Sequence, residues 1–164
     1  MFNGIITNTG RIKNIYKKKN YSILEINSKM KFHKNEIGSS VSCSGACLTL
    51  ENYKKGILQF YISKETLKRT IFRECIIGDY INLEKSMKFG NRISGHFVQG
   101  HVDTTSKVKK ISHVGKSWLI NFNLLNKYKK YLVFKGSITI NGVSLTIAKI
   151  YRNIFQISII PHTL

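Results

Sequence analysis

The chain contains an internal repeat, and that repeat limits its fold more than any other feature. Residues 42–49 read SCSGACLT and residues 139–146 read TINGVSLT. With Gly45 laid on Gly142, a shift of 142 − 45 = 97, Ser40 falls on Ser137, Val41 on Ile138, Leu48 on Leu145 and Thr49 on Thr146. The same shift lays Gln59 on Gln156, Ile62 on Ile159, Thr66 on Thr163 and Leu67 on Leu164. A shift of 96 lays GIITNTGRIKNI (4–15) on GHVDTTSKVKKI (100–111), matching Gly4, Thr9 and Ile15 with Gly100, Thr105 and Ile111. Blocks that agree in order and spacing mark a tandem duplication. The copies run over 1–87 and 88–164.

Each copy is a series of short alternating or β-branched runs. YSILEIN and ILQFYIS in the first, and SWLINFN and IFQISII in the second, read as strands. GSSVSCSG and GSITINGV read as strands running into glycine turns. Helical periodicity is confined to short stretches near 64–73 and 124–132. Two similar copies of about six short strands predict an all-β chain of two small closed barrels, because closure removes exposed strand edges. DYINLEKS (79–86) reads as the last strand of copy one. Its counterpart, with the rest of 68–86 shifted by 97, would fall at roughly 165–183, so the second barrel is expected to be incomplete.

With 42% hydrophobic residues the chain can bury a core. No apolar run approaches the ~18 residues of a membrane span, and the start, MFNGIITNTG, does not read as a secretory signal. Cys43, Cys47 and Cys75 form no C-x-x-C pair, so reduced thiols in a cytoplasm are expected rather than disulfides or a zinc site. The net charge of +19 has two readings. It is either an attraction to nucleic acid or compositional drift in a chain rich in Lys, Asn and Ile. The scatter of the basic residues favours drift.

MFNGI, GACLTL, SKETL, GHFVQGHVDTT, FKGSITINGVSLTI and IIPHTL, in that order, resemble the riboflavin synthase family of the α-subunit type. The resemblance implies two six-stranded Greek-key barrels, each with a shallow site for a lumazine. A C-terminal helix would assemble a homotrimer, and that helix is absent from these residues. It implies a dismutation of two 6,7-dimethyl-8-ribityllumazine molecules, which exchange a four-carbon unit to give riboflavin and 5-amino-6-ribitylamino-pyrimidinedione. No metal and no cofactor are implied. The site would form between the first barrel of one subunit and the second barrel of its neighbour, so these 164 residues are expected to bind ligand in 1–87 but to lack turnover by themselves.

Carried over residue by residue, the first site would use Gly4, Ile5 and Ile6, Ser40, Cys47, Leu48 and Thr49. Tyr61, Ile62, Ser63, Lys64, Glu65 and Thr66 follow, with Gly100, His101 and Val102. The second would use Lys135, Ser144, Leu145, Thr146, Ser158, Ile159, Ile160, Pro161, His162 and Thr163. Hydroxyls at Thr49, Ser144, Thr146 and Thr163 suit a ribityl chain. His101 is the expected proton shuttle, and Ser40 and Cys47 are the candidate nucleophiles or water-positioners. Holding two reactive rings face to face would supply much of the acceleration. Asn3 replaces the family's usual Thr and His162 its usual Glu.

Two other classes compete. A non-catalytic lumazine- or flavin-binding protein would share the barrels, but Ser40, Cys47 and His101 favour the enzyme. A basic nucleic-acid-binding β-barrel would interleave exposed aromatics with its cations, whereas here the aromatics occupy apolar-alternating positions. No specific nucleic acid and no membrane partner are expected.

Overall fold

The computed structural model describes residues 1–163 and separates into two compact units. One holds Met1–Thr105 with Ile140–Val143; the other holds Ser106–Thr139 and the residues from Ser144 onward.

The first unit contains β1 (Asn8–Lys17), β2 (Tyr21–Ser28), β3 (Ser40–Cys43), β4 (Ala46–Lys54), β5 (Ile57–Ser63) and β6 (Tyr80–Lys85). They close into a barrel in the order β1-β2-β5-β4-β3-β6, with β6 returning to β1. Alternation decides which side chains turn inward. On β2, Ser22, Leu24 and Ile26 are buried, and on β5, Leu58, Phe60 and Ile62 are. Antiparallel register sets Leu24 opposite Phe60 and Ile26 opposite Leu58. Leu48, Leu50, Val41, Ile81 and Leu83 complete the interior.

Helix α1 (Lys64–Arg69) follows β5 directly. Ser63 caps it by accepting a hydrogen bond from the Thr66 N–H at 3.2 Å. Six residues cannot sustain a helix alone, so the barrel wall and the buried Phe72 of the following 3₁₀ turn (Ile71–Arg73) hold it.

Residues 88–105 form no regular strand, yet they belong to the first unit. Phe2 is fully buried and pairs with Val98 through both backbone bonds, at 2.7 and 3.0 Å. Further along, the Cys47 N–H donates to the Gly100 carbonyl at 2.8 Å.

The second unit contains β7 (Val108–Val114), β8 (Ser117–Asn123), β9 (Ser137–Ile140), β10 (Val143–Ile150) and β11 (Ile154–Ile159). They form an open sheet in the order β7-β8-β11-β10-β9, so β7 and β9 are edges. Ile120, Phe122, Ile147, Phe155 and Ile157 are buried, and the Phe122 and Phe155 rings stack 5.2 Å apart.

The duplication extends to backbone irregularities. β1 bulges between Ile12 and Asn14 and β7 between Val108 and Lys110, 96 residues on. β4 bulges between Leu50 and Asn52 and β10 between Ile147 and Lys149, 97 residues on. The corresponding hairpin turns Ser44-Gly45 and Asn141-Gly142 each use two consecutive positive φ angles, the geometry a two-residue turn needs to match strand twist.

Candidate functional site

A cavity of about 350 Å³ opens on the first unit, lined by Ala46, Cys47, Glu65, Thr66, Arg69, Thr70, Gly100, His101, Val102 and Asp103. It has three walls. The start of β4 supplies Cys47, α1 supplies Thr66 and Arg69, and the extended segment from Gly100 supplies His101.

The third wall lies close because residue 100 is glycine. Its φ is +81°, and a Cβ there would sit 2.7 Å from the Cys47 Cβ and 2.8 Å from the Cys47 nitrogen. Thr66 is fixed by its place in the helix cap, where its hydroxyl lies 3.0 Å from that of Ser63. Arg69 ties two walls together. Its Nε pairs with Glu65 one helical turn back, and its Nη1 donates to the Asp103 carbonyl at 3.4 Å. The hydrogen bond from Arg69 holds the Glu65 carboxyl below its usual range, so it stays ionised near neutrality.

Of the three thiols only Cys47 reaches the cavity. Burial raises the Cys43 thiol well above its ordinary range and pushes Cys75 to about 11, which leaves both protonated and inert. Among the described residues no three His, Cys, Asp or Glu side chains gather to hold a metal ion.

The structure thus brings Cys47, Glu65, Thr66, Gly100, His101 and Val102 to one cleft. Other expected residues lie elsewhere in the unit. Ser40 and Thr49 face each other across β3 and β4. Leu48 and Ile62 point into the core, Ser63 caps α1, and Tyr61 stacks on Tyr21 at 4.9 Å. Ile5 lines a second cavity of about 430 Å³ with Glu84 and Lys85, and Gly4 donates to Glu84. Lys64 is exposed on α1 and Ile6 is half-buried.

In the second unit, Ser144, Leu145 and Thr146 lie on β10, and Ser158 and Ile159 on the adjacent β11. Ile160, Pro161, His162 and Thr163 follow, with the Thr163 N–H bonded to the Ile160 carbonyl at 2.9 Å. Lys135 has a φ of +64°. Its partner 97 residues earlier is Gly38, with a φ of +89°, and the backbone bonds match: Gly38 N–H to Leu50 C=O at 2.8 Å, Lys135 N–H to Ile147 C=O at 3.0 Å. A lysine held where glycine belongs carries strain of about 1–2 kcal/mol, the kind retained at functional positions.

Sequence reasoning missed Ala46, Arg69, Thr70 and Asp103 as cleft residues. Ala46 and Asp103 lay inside the blocks GACLTL and GHFVQGHVDTT, Arg69 carried its i,i+4 spacing from Glu65, and Thr70 carried no signal.

A family model described as lumazine binding domain matches residues 3–86 and again 99–164. A riboflavin synthase of Buchnera aphidicola subsp. Schizaphis graminum is 39% identical over all of this chain, which covers 80% of that relative. Riboflavin synthases of Bacillus subtilis and Escherichia coli are 35% and 34% identical, with 76% and 78% of their lengths covered. A crystal structure of LumP complexed with riboflavin superposes with a TM-score of 0.86 at 24% identity, covering 99% of this chain and 89% of that one. LumP complexed with 6,7-dimethyl-8-(1'-D-ribityl) lumazine gives 0.81 at 26%, covering 98% and 87%.

Proposed function

The chain belongs to the lumazine-binding-domain family of riboflavin synthases, and from that membership we propose that it catalyses the dismutation of two 6,7-dimethyl-8-ribityllumazine molecules to riboflavin and a ribitylamino-pyrimidinedione. The observation that carries the reading is the convergence of Cys47, Thr66, Gly100 and His101 on one cleft of the first unit. These residues came from separate blocks of the sequence.

The roles follow from chemistry. The Gly100 segment offers backbone groups to the edge of a flat, multiply carbonylated ring. His101 takes the proton lost from the 7-methyl group of one lumazine. Cys47 is the thiol placed to attack or to position water at the ring of the other. In the second unit, Lys135, Ser144 and Thr146 with 158–163 form the matching set, and the left-handed Lys135 supports a role beyond structure.

Two sites for two copies of one molecule give the duplication of 1–87 and 88–164 a chemical reason, with the opening residues of the second copy, 88–105, folding into the first unit. The reaction then needs two sets of site residues to face each other, as a homotrimer would allow. Three free cysteines accord with a cytoplasmic location. Fluorescence titration with 6,7-dimethyl-8-ribityllumazine tests the reading. Saturable quenching supports it, and no change up to millimolar ligand removes it.

A further inference from the structure

We propose that Glu84 is a positioning residue: its carboxylate clamps the N-terminal segment, and that segment holds the stretch carrying His101 against the cleft.

Glu84 lies at the end of β6, 4% exposed. Among the described residues no lysine or arginine pairs with it; the two ion pairs present are Arg69–Glu65 and Lys85–Glu36. Burial pushes the Glu84 carboxyl above its ordinary range, and backbone N–H groups with the N-terminal ammonium oppose that. A buried carboxylate needs such strong hydrogen-bond donors. Backbone supplies them. Oε1 accepts from the Asn3 N–H at 2.7 Å and Oε2 from the Gly4 N–H at 3.1 Å, with the Ile5 N–H adding to them. Consecutive N–H groups on one carboxylate fix the direction of the opening segment.

That segment passes the constraint on. The Asn3 side chain accepts from the Gly95 N–H at 2.7 Å and donates to the Arg92 carbonyl at 3.4 Å. The Asn3 carbonyl accepts from the His96 N–H at 3.2 Å, and Phe2 pairs with Val98. Gly100, two residues on, is held by Cys47. His101 therefore follows a segment fixed at 95, 96, 98 and 100; the contacts at 95 and 96 are made by Asn3, which Glu84 anchors, that at 98 by its chain neighbour Phe2, and that at 100 by Cys47. Asn3 bridges two backbone groups with opposite ends of one amide.

The inference rests on the functional reading only where it concerns ligand. Glu84→Gln replaces an acceptor facing backbone N–H groups with a donor. Three measurements on the full chain decide the matter: the His101 ring resonance (assigned through His101→Gln), lumazine affinity, and the melting temperature. In folded Glu84→Gln the His101 resonance should move and lumazine binding weaken about tenfold, as displacement of a site group would cause. Asn3→Ala should act in the same direction, and the double variant should lose less than the product of the two. A lowered melting temperature with an unchanged His101 resonance and unchanged affinity overturns the proposal. Should Glu84→Gln not fold, Asn3→Ala, whose side chain lies outside the core, decides alone by the same readouts. If the wild-type chain binds no lumazine, the functional reading fails while the resonance still tests the clamp.

Discussion

Gly100→Ala concentrates a large effect in one methyl group. Two costs arise at that position. An alanine at φ +81° carries about 1–2 kcal/mol of left-handed strain. Its Cβ would then sit 2.7 Å from the Cys47 Cβ and 2.8 Å from the Cys47 nitrogen, atoms anchored to backbone that cannot swing aside. Forcing them apart costs roughly 1–3 kcal/mol as overpacking. The 2.8 Å bond from Cys47 N–H to the Gly100 carbonyl would go with it, another ~1 kcal/mol. Gly90→Ala is the matched control, because its φ of +85° imposes the same strain and nothing lies within 4 Å of its Cβ. Urea unfolding followed by circular dichroism should place Gly100→Ala about 2–4 kcal/mol below Gly90→Ala. The same variant should weaken lumazine binding, since the wall carrying His101 is displaced. Equal destabilisation of the two variants would show that the close approach at Gly100 has been misjudged.

Lys135→Gly should raise stability by about 0.5–1 kcal/mol, the relieved strain less the extra freedom of unfolded glycine, while weakening ligand binding; a loss of stability would refute the strain. Iodoacetamide followed by peptide mass mapping should modify Cys47 first, because burial keeps the Cys43 and Cys75 thiols raised and covered. Burial lowers the His96 pKa below 6.5, so as pH falls through that value the unfolded chain takes up the proton first and stability drops. His96→Asn should flatten that part of the pH profile. Amide hydrogen exchange should protect the closed barrel more than the open sheet, whose edge strand β7 leaves Val108, Ile111 and Val114 exposed. Equal protection would contradict the topology.

The strands with clean alternation were legible in the sequence. YSILEIN, ILQFYIS, SWLINFN and DYINLEKS coincide with β2, β5, β8 and β6. β1 and β7 did not announce themselves as strands, because each holds a bulge that breaks the two-residue period and exposes lysines along its length. Their likeness to each other still showed in the repeat. At the cleft, Cys47, Thr66 and His101 were marked by motif blocks, whereas Arg69 joins it through a side chain reaching between elements to the Asp103 carbonyl. Such a contact has no period to reveal it. Nor did Glu84 stand out, since its partners are backbone N–H groups eighty positions distant in the chain.

Barrel closure also bears on how fast each unit forms. In the first unit the closing pair sets Asn8 opposite Leu83, so most of the unit must be collapsed before that ladder can form. Loop-closure entropy is lost ahead of the contacts that offset it, which slows folding as sequence separation grows. In the second unit the β8–β11 ladder sets Trp118 opposite Ile159, a shorter span, and the pairs joining β7 to β8 and β10 to β11 are hairpins between chain neighbours. Two copies of one ancestral pattern would then fold on different clocks, the closed one later and the open one sooner.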